Sequence, residues 1–438
     1  LYYVHLLNMK RNFKTPNMMK WAQELFPLCR SLTATGTKIT LRYFQKLNPN
    51  FKIIKFKSGT KVFDWKVPLE WNISDAYIKH ESGKKFADFK KNNLHVVNYS
   101  IPIKKRLNKK ELIKNIHTLK SQPGSIPYVT SYYKKRWGFC LSENEFKKLP
   151  SGNYDAVINS SLKKGTMELM HAKIKGKSKK EIFFSSYVCH PSMANNELSG
   201  PVVLNAIMLY LKKRYPIRKY SYRFVLLPET IGSIAYLSKF RSELKKNVIA
   251  GYNITCVGDQ RSYSLIHSPS SRTLADISLK SALNGKKNVN EFSFLHRGSD
   301  ERQYCSPLVN LPVCCFSRSK YYPEYHTDKD NLNLISQKGL SQSLEVFEDI
   351  IDAFELGLYP KTKIFCEPNL GKRGLYPLLS KKNSVDRNSM SEELRIRWHF
   401  IAYANGSNSI FFIAEVLKVK LRDLLEEYKR LKKEKIIS

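Results

Sequence analysis

Between residues 167 and 358, short apolar runs alternate with longer stretches whose apolar positions recur every three or four residues. The short runs, 182–188, 222–227, 247–256, 263–267 and 313–316, read as buried strands, because a strand covered on both faces needs no polar alternation. The longer ones, 198–214, 231–239, 273–283 and 340–357, read as helices. Their alternation predicts an α/β core with helices on both faces of a sheet. Upstream, Trp21, Leu25, Leu28 and Leu32 have helical spacing, Thr35-Gly36-Thr37 reads as a turn, and a second helix runs through Leu41, Phe44 and Leu47. These N-terminal helices, within residues 1–52, are assigned to the core.

After Phe51 the pattern becomes short β-rich pieces at 56–63, 71–79 and 94–101, with another at 156–161, broken by Gly, Pro and Asn. This predicts a small β-rich domain over 53–150, inserted ahead of a core that occupies 151–368 and placed to roof its cleft. Tyr128, Tyr132, Tyr133, Trp137 and Phe139 form an aromatic cluster that reads as core or interdomain packing. Past Pro368, helical patterns at 391–404, 409–417 and 421–432 with tight links predict a winged-helix-like domain over 369–438.

The 438 residues are 42% hydrophobic and 12% aromatic, which excludes a disordered chain. No apolar run matches a bilayer, and Leu1 to Leu7 is too short for a signal peptide and lacks its small-residue cleavage site, so a cytoplasmic location is expected. The eight cysteines have neither zinc-ribbon nor disulfide spacing and read as buried thiols. A net charge of +38 would point to nucleic acid if it were clustered, but lysines run along nearly the whole chain. In the last helical segment, Arg422, Lys429 and Arg430, preceded by Lys418 and Lys420, are interspersed with Asp423, Glu426 and Glu427, which repel a phosphate backbone. The tail therefore reads as a packing or protein-contact module, not as a nucleic-acid reader.

Four segments carry candidate chemistry. The strand 182–188 ends on Cys189-His190 and an amide- and carboxylate-rich turn, Ala194 to Gly200, containing Asn196 and Glu197. An imidazole at the carboxyl end of an α/β strand stands where such sheets place ligands. The strand 223–227 runs into Pro228-Glu229-Thr230, a rigid exposed position suited to a general base, or to a carboxylate meeting a helix dipole. Arg297 to Arg302 holds Asp300 and Glu301 in a charged turn that alone reads as a solvated loop. Tyr325-His326-Thr327-Asp328-Lys329-Asp330 sets a histidine beside carboxylates able to hold its second nitrogen; otherwise His326 reads as a capping residue.

In order and local shape these segments resemble the zinc exopeptidase superfamily of leucyl-type aminopeptidases, glutamate carboxypeptidase and glutaminyl cyclase. More closely, Thr60 to Trp65, Gly298 to Cys305 and Leu370 to Pro377 are similar to segments of aminopeptidase-like proteins found in polysaccharide-biosynthesis clusters. The resemblance covers nearly the whole chain. It implies an aminopeptidase-type mixed sheet covered by helices, an inserted small β domain and a C-terminal winged helix. It also implies a metal site on His190, the Ala194 to Gly200 turn, Glu229 and His326.

Three departures alter that expectation. Asn196 stands where the superfamily has a bridging Asp, Thr230 where it has a second Glu, and Thr255 where it has a ligand Asp. Two zinc ions need such carboxylates, whereas one is satisfied by about three protein ligands and a water. The resemblance, so modified, implies one zinc per chain on His190, His326 and a carboxylate. Glu229 is the first choice, and Glu197, Asp259, Asp300 and Glu301 remain open, the more so if Glu229 serves as the base. The expected function is a zinc-dependent hydrolase of aminopeptidase type acting on a peptide, aminoacyl or acylamino compound. The alternatives are an inactive peptidase-fold scaffold, or a nucleic-acid-binding regulator working through the winged helix.

Overall fold

Every residue of the two central strands Glu181–Tyr187 and Ser221–Leu227 is buried, and successive side chains enter opposite faces of the sheet, which sets the architecture. Ile182, Phe184, Tyr222, Phe224 and Leu226 pack into one apolar core, while Phe183, Val225 and Leu227 pack into another on the opposite side. A sheet apolar on both faces is stable only between two layers of helices. In the computed structural model, which describes residues 13–376 and 392–438, that sheet has eight strands among the described residues. Their order is Lys52–Lys57, Thr166–Ile174, Ser221–Leu227, Glu181–Tyr187, Val248–Ile254, Val313–Arg318, Tyr263–Ile266 and Val289–Phe292. The central four are mutually parallel, and antiparallel strands flank them, so the sheet is mixed. Ser199–Arg214, Leu274–Leu283 and Gln337–Gly357 cover the first face, and Ile231–Asn247 covers the second.

On the second face a charged cluster has a buried centre, Arg223 with Glu181, and a partly solvent-exposed rim, Lys173 with Glu243. Arg223 places Nε 2.7 Å from Glu181 and a terminal nitrogen 2.8 Å from Glu243, and Lys173 reaches both carboxylates. A fully buried Glu181 is sustained only because each of its oxygens meets a cation.

The smaller sheet is ordered Lys85–Phe86, Glu70–His80, Asn153–Lys163 and Ile103–Asn108, with a core of its own around Ala76, Ile78, Tyr154, Ala156 and Ile158. Its strands thus run past residue 150, while Lys52–Lys57 belongs to the large sheet. Several local expectations change. The run 56–63 is split at Gly59, whose φ of 87° suits a residue without a side chain, and a short hairpin of 61–62 with 65–66 follows. The run 94–101 is a 3₁₀ turn and connecting chain, and Thr35-Gly36-Thr37 opens the helix Thr35–Leu47 instead of preceding it. Gly36 is required there because a side chain would strike the Cys29 carbonyl. The first helix stops at Leu25, ahead of Pro27. Strands 103–108, 166–174 and 289–292 have no counterpart in the periodicity reading. Leu1 to Leu7, Pro377 and Ser391 lie outside the described residues.

The tail forms helices Glu392–Tyr403, Ile410–Leu417 and Leu421–Lys433. They share the first-face core: Phe411 meets Phe354 edge-on at 5.2 Å, and the Tyr428 hydroxyl donates to the Leu356 carbonyl at 3.1 Å. Inside the tail, the buried Arg397 pairs with Glu427 at 2.7 Å. Among the described residues no helix is long and apolar enough to cross a membrane. Because core and tail share one apolar cluster, Phe411→Ala is expected to cost about 3–5 kcal/mol. It should lower a single urea transition; a separate early transition for the tail would contradict the shared core.

Candidate active site at the carboxyl edge of the sheet

Strands Glu181–Tyr187 and Ser221–Leu227 run parallel with Tyr187 opposite Leu227, so the chain leaves both at the same sheet edge. This register brings His190 and Glu229 together, with Nε2 3.9 Å from the carboxylate. The loop after Val313–Arg318 supplies His326, whose ring centre lies 5.4 Å from that of His190. Tyr325 stacks on His326 at 3.8 Å, and Tyr128 stands edge-on to both imidazoles at 5.1 and 5.2 Å. The Tyr128 amide donates to the His326 carbonyl at 2.9 Å, and the Ile126 amide donates to Asp328 at 2.7 Å. A strap leading out of the small sheet region therefore lies directly over the site.

The imidazoles are held neutral. Burial, aided by the Arg30 charge, pushes His190 down to about 3, and burial with the neighbouring His190 pushes His326 down to about 3. His190 directs Nδ1 to Glu197 at 3.1 Å, which leaves Nε2 facing Glu229. Glu197 is fully buried and its other oxygen lies 3.3 Å from Arg30 Nε. Arg30 in turn donates to the carbonyls of His190 at 3.0 Å and Leu25 at 2.7 Å. Burial raises the Glu197 carboxyl while Arg30 pulls it back. His326 Nε2 is buried without a hydrogen-bond partner, as are both polar atoms of the Asn196 amide. An unpaired buried polar atom is costly, and an imidazole nitrogen left so in a residue that lines a cavity marks a place for a ligand.

Glu229 is pushed up to about 8, first by burial and then by the charge of Asp300. A carboxyl titrating near neutrality has the acid–base balance of a proton carrier. Thr230 sets its direction, adopting φ 64° and ψ −76°, a strained backbone for a β-branched residue. The strain is held by Asp300, which accepts from the Thr230 amide at 2.8 Å and the Ser233 hydroxyl at 2.7 Å, and by Arg302, which donates to the Thr230 hydroxyl at 2.9 Å. Glu229 borders two cavities. One, of about 320 Å³, also exposes His190, His326 and Tyr128. The other, of about 270 Å³, is walled by Tyr187, Tyr321, Tyr322 and Tyr325.

The remaining carboxylates singled out in the sequence are occupied by the protein. Asp330 accepts from the amides of Asn195 at 2.6 Å and Asn196 at 2.9 Å and from the Tyr322 hydroxyl at 2.6 Å. Glu301 accepts from the amides of Gly298 and Ser299 and from Asn253. Asp259 is held by Ser319 and Arg261. Thr255 donates to the Tyr187 hydroxyl at 2.6 Å. Among the described residues, Cys189, His190 and Glu197 hold donor atoms within 4.8 Å of one another. These contacts are already hydrogen-bonded on the Nδ1 side, beside the Arg30 cation and a thiol pushed far up by burial, so that side repels a metal ion. Arg30, Tyr128 and Arg302 have no local signal for a site role, and the aromatic cluster around Tyr128 reads as packing. At the tail, Glu392, Glu393, Asp423 and Glu426 line one acidic cleft.

Two histidines, one at a strand end and one from a loop, and a carboxylate at one edge of a helix-covered mixed sheet define an aminopeptidase-like α/β protein. The chain belongs to the family described as a domain of unknown function (DUF4910), whose model matches residues 19–357, and a winged helix-turn-helix model matches 358–438. It is 41% identical over 399 residues, 90% of this chain and 89% of the other, to a Clostridium acetobutylicum protein named as a candidate polysaccharide biosynthesis protein with an aminopeptidase-like domain. A crystal structure of a candidate peptidase from C. acetobutylicum superposes with a TM-score of 0.87 at 35% identity, covering 100% of this chain and 98% of that one. The fold also resembles BSAP, a zinc aminopeptidase from Bacillus subtilis, with a TM-score of 0.57 at 12% identity over 77% of this chain and 94% of that one.

Two substitutions test the framework of the site. Asp330→Asn turns one acceptor oxygen into a donor facing backbone amides, and is expected to cost about 1.5–3 kcal/mol in denaturant unfolding. Arg30→Met leaves Glu197 buried without its cation and should cost about 3–5 kcal/mol. A loss below about 0.5 kcal/mol in either variant would contradict the pairing described.

Proposed function

We propose that the protein is a metal-dependent amide hydrolase of aminopeptidase type acting on a peptide, aminoacyl or acylamino compound. The observation that carries this reading is the convergence of His190 Nε2, the unpartnered His326 Nε2 and Glu229 on one cavity. Two neutral imidazoles and a carboxylate are donor types that one zinc ion takes, and drawing them onto it would need a small closure of the site, since their donor atoms do not all stand within 4.8 Å of one another; Glu229 either completes the set or stands beside it as the base. When bound, zinc lowers the pKa of a water and polarises a carbonyl. Arg302 donates to the hydroxyl of Thr230, the residue that stands where the resembled superfamily has a second Glu, and this favours one ion over two.

The protein's own groups supply the proton path. Glu229 takes a proton from the attacking water as its oxygen bonds to the carbonyl carbon, then delivers that proton to the nitrogen as the C–N bond breaks. Glu197 keeps His190 in one orientation, and Tyr128 and Tyr325 hold the rings apart from bulk water. Cavities of about 270 and 320 Å³ on either side of Glu229 suit a small substrate.

A second reading has an observation of its own. Asn196, Thr230 and Thr255 replace three anionic groups, and the Thr230 and Thr255 hydroxyls are bound to Arg302 and Tyr187, as expected of a peptidase fold turned into a metal-free binding module. Elemental analysis of untagged protein purified without chelator separates the two. One zinc per chain, lost in His190→Ala and in His326→Ala, is expected; a folded wild-type protein that takes up no zinc when offered it would establish the scaffold. Glu229→Gln is expected to lower turnover of a responsive amide at least ~100-fold. Zinc retained in that variant assigns Glu229 as the base, and zinc lost assigns it as a ligand.

A further inference from the structure

Next to the reaction cavity lies a second hollow of about 420 Å³ whose lining contains Lys66, Lys134, Lys135 and Lys164 and no carboxylate. The lysines come from three distant segments: the 61–66 hairpin, the loop after Tyr133 and the end of the strand Asn153–Lys163. None has a carboxylate within ion-pair distance among the described residues, although elsewhere Lys38, Lys55, Lys173 and Lys280 are paired. Its floor is apolar, with Val67 and Leu162, and the Ser58 and Ser131 side chains add hydroxyls. Four lysines around one concavity with no carboxylate in its lining give it a positive potential that favours an anion.

The hollow adjoins the site described above. Tyr132 and Tyr133 line both cavities, and Trp65, half-exposed and edge-on to Tyr133 at 5.7 Å, belongs to the reaction cavity while its neighbour Lys66 belongs to the lysine hollow. We infer that the Lys66, Lys134, Lys135 and Lys164 hollow is an anion subsite, taking a phosphate or carboxylate carried by the same small molecule whose amide reaches Glu229. The link to an amide rests on the hydrolase reading; the anion site itself does not. The substrate class that follows is an acidic acylamino or aminoacyl compound, its anionic end separated from the reacting bond by the Trp65 and Tyr133 wall.

The test is isothermal titration of the full chain with inorganic phosphate and, separately, with glucuronate. Saturable binding of at least one is expected, weakened at least tenfold in Lys66→Ala/Lys164→Ala and unchanged in Lys245→Ala/Lys246→Ala, a lysine pair on the helix Ile231–Asn247. Binding of phosphate alone or of glucuronate alone assigns the anion, and either supports the subsite. No saturable binding, or equal weakening in the control pair, would overturn it by making the lysines a general basic surface. Affinity retained in Glu229→Gln is the expected result, so failure of hydrolysis and failure of anion binding are read separately.

Discussion

The site depends on one buried ion pair. Arg30 and Glu197 are both withdrawn from water, and removing two charges from solvent is repaid only when each finds further partners. Arg30 finds the carbonyls of His190 and Leu25; Glu197 finds His190 Nδ1. The pair therefore ties the N-terminal helix region to the turn that follows a central strand, and fixes which face of the His190 ring is turned toward Glu229. The same region also receives the Asn98 side chain, which donates to the Arg30 carbonyl at 3.2 Å, so the inserted segment is keyed to the same point.

Around that pair, the carboxylates divide by what surrounds them. Asp300, Asp330 and Glu301 are spent on backbone amides and hydroxyls, and hold three turns in shape. Glu229 alone of this group faces open cavity on two sides. Desolvation by its surroundings and the charge of Asp300 lift its pKa, and a strained neighbour aims it. The strained Thr230, the raised Glu229 carboxyl and the unpartnered Nε2 of His326 all belong to the wall of one small cavity.

Much of this was legible in the chain. Apolar runs of strand length marked most of the central sheet, and the position of His190 and Glu229 just past such runs marked one sheet edge, while His326 was drawn to it only by the resemblance. What was hidden had physical reasons. Asp330 and Glu301 look like ligands in sequence, but their partners are backbone amides, which no sequence pattern displays. Arg30 is separated from Glu197 by 167 positions, so nothing local announces the pair. The strand Thr166–Ile174 carries Glu168, His171 and Lys173 at a position near the sheet edge, which breaks the apolar run that identified its neighbours. The turn expected at Thr35 is a helix start because close packing, not chain reversal, requires Gly36.

The strap at 126–128 has a mechanical meaning. It covers the cleft and at the same time exchanges backbone hydrogen bonds with the His326 turn, through Tyr128 with His326 and Ile126 with Asp328. Lid and imidazole are thus one part. A displacement of the strap wide enough to admit a bulky molecule pulls on the loop that places His326, so the enclosure opens only by dismantling the centre it encloses.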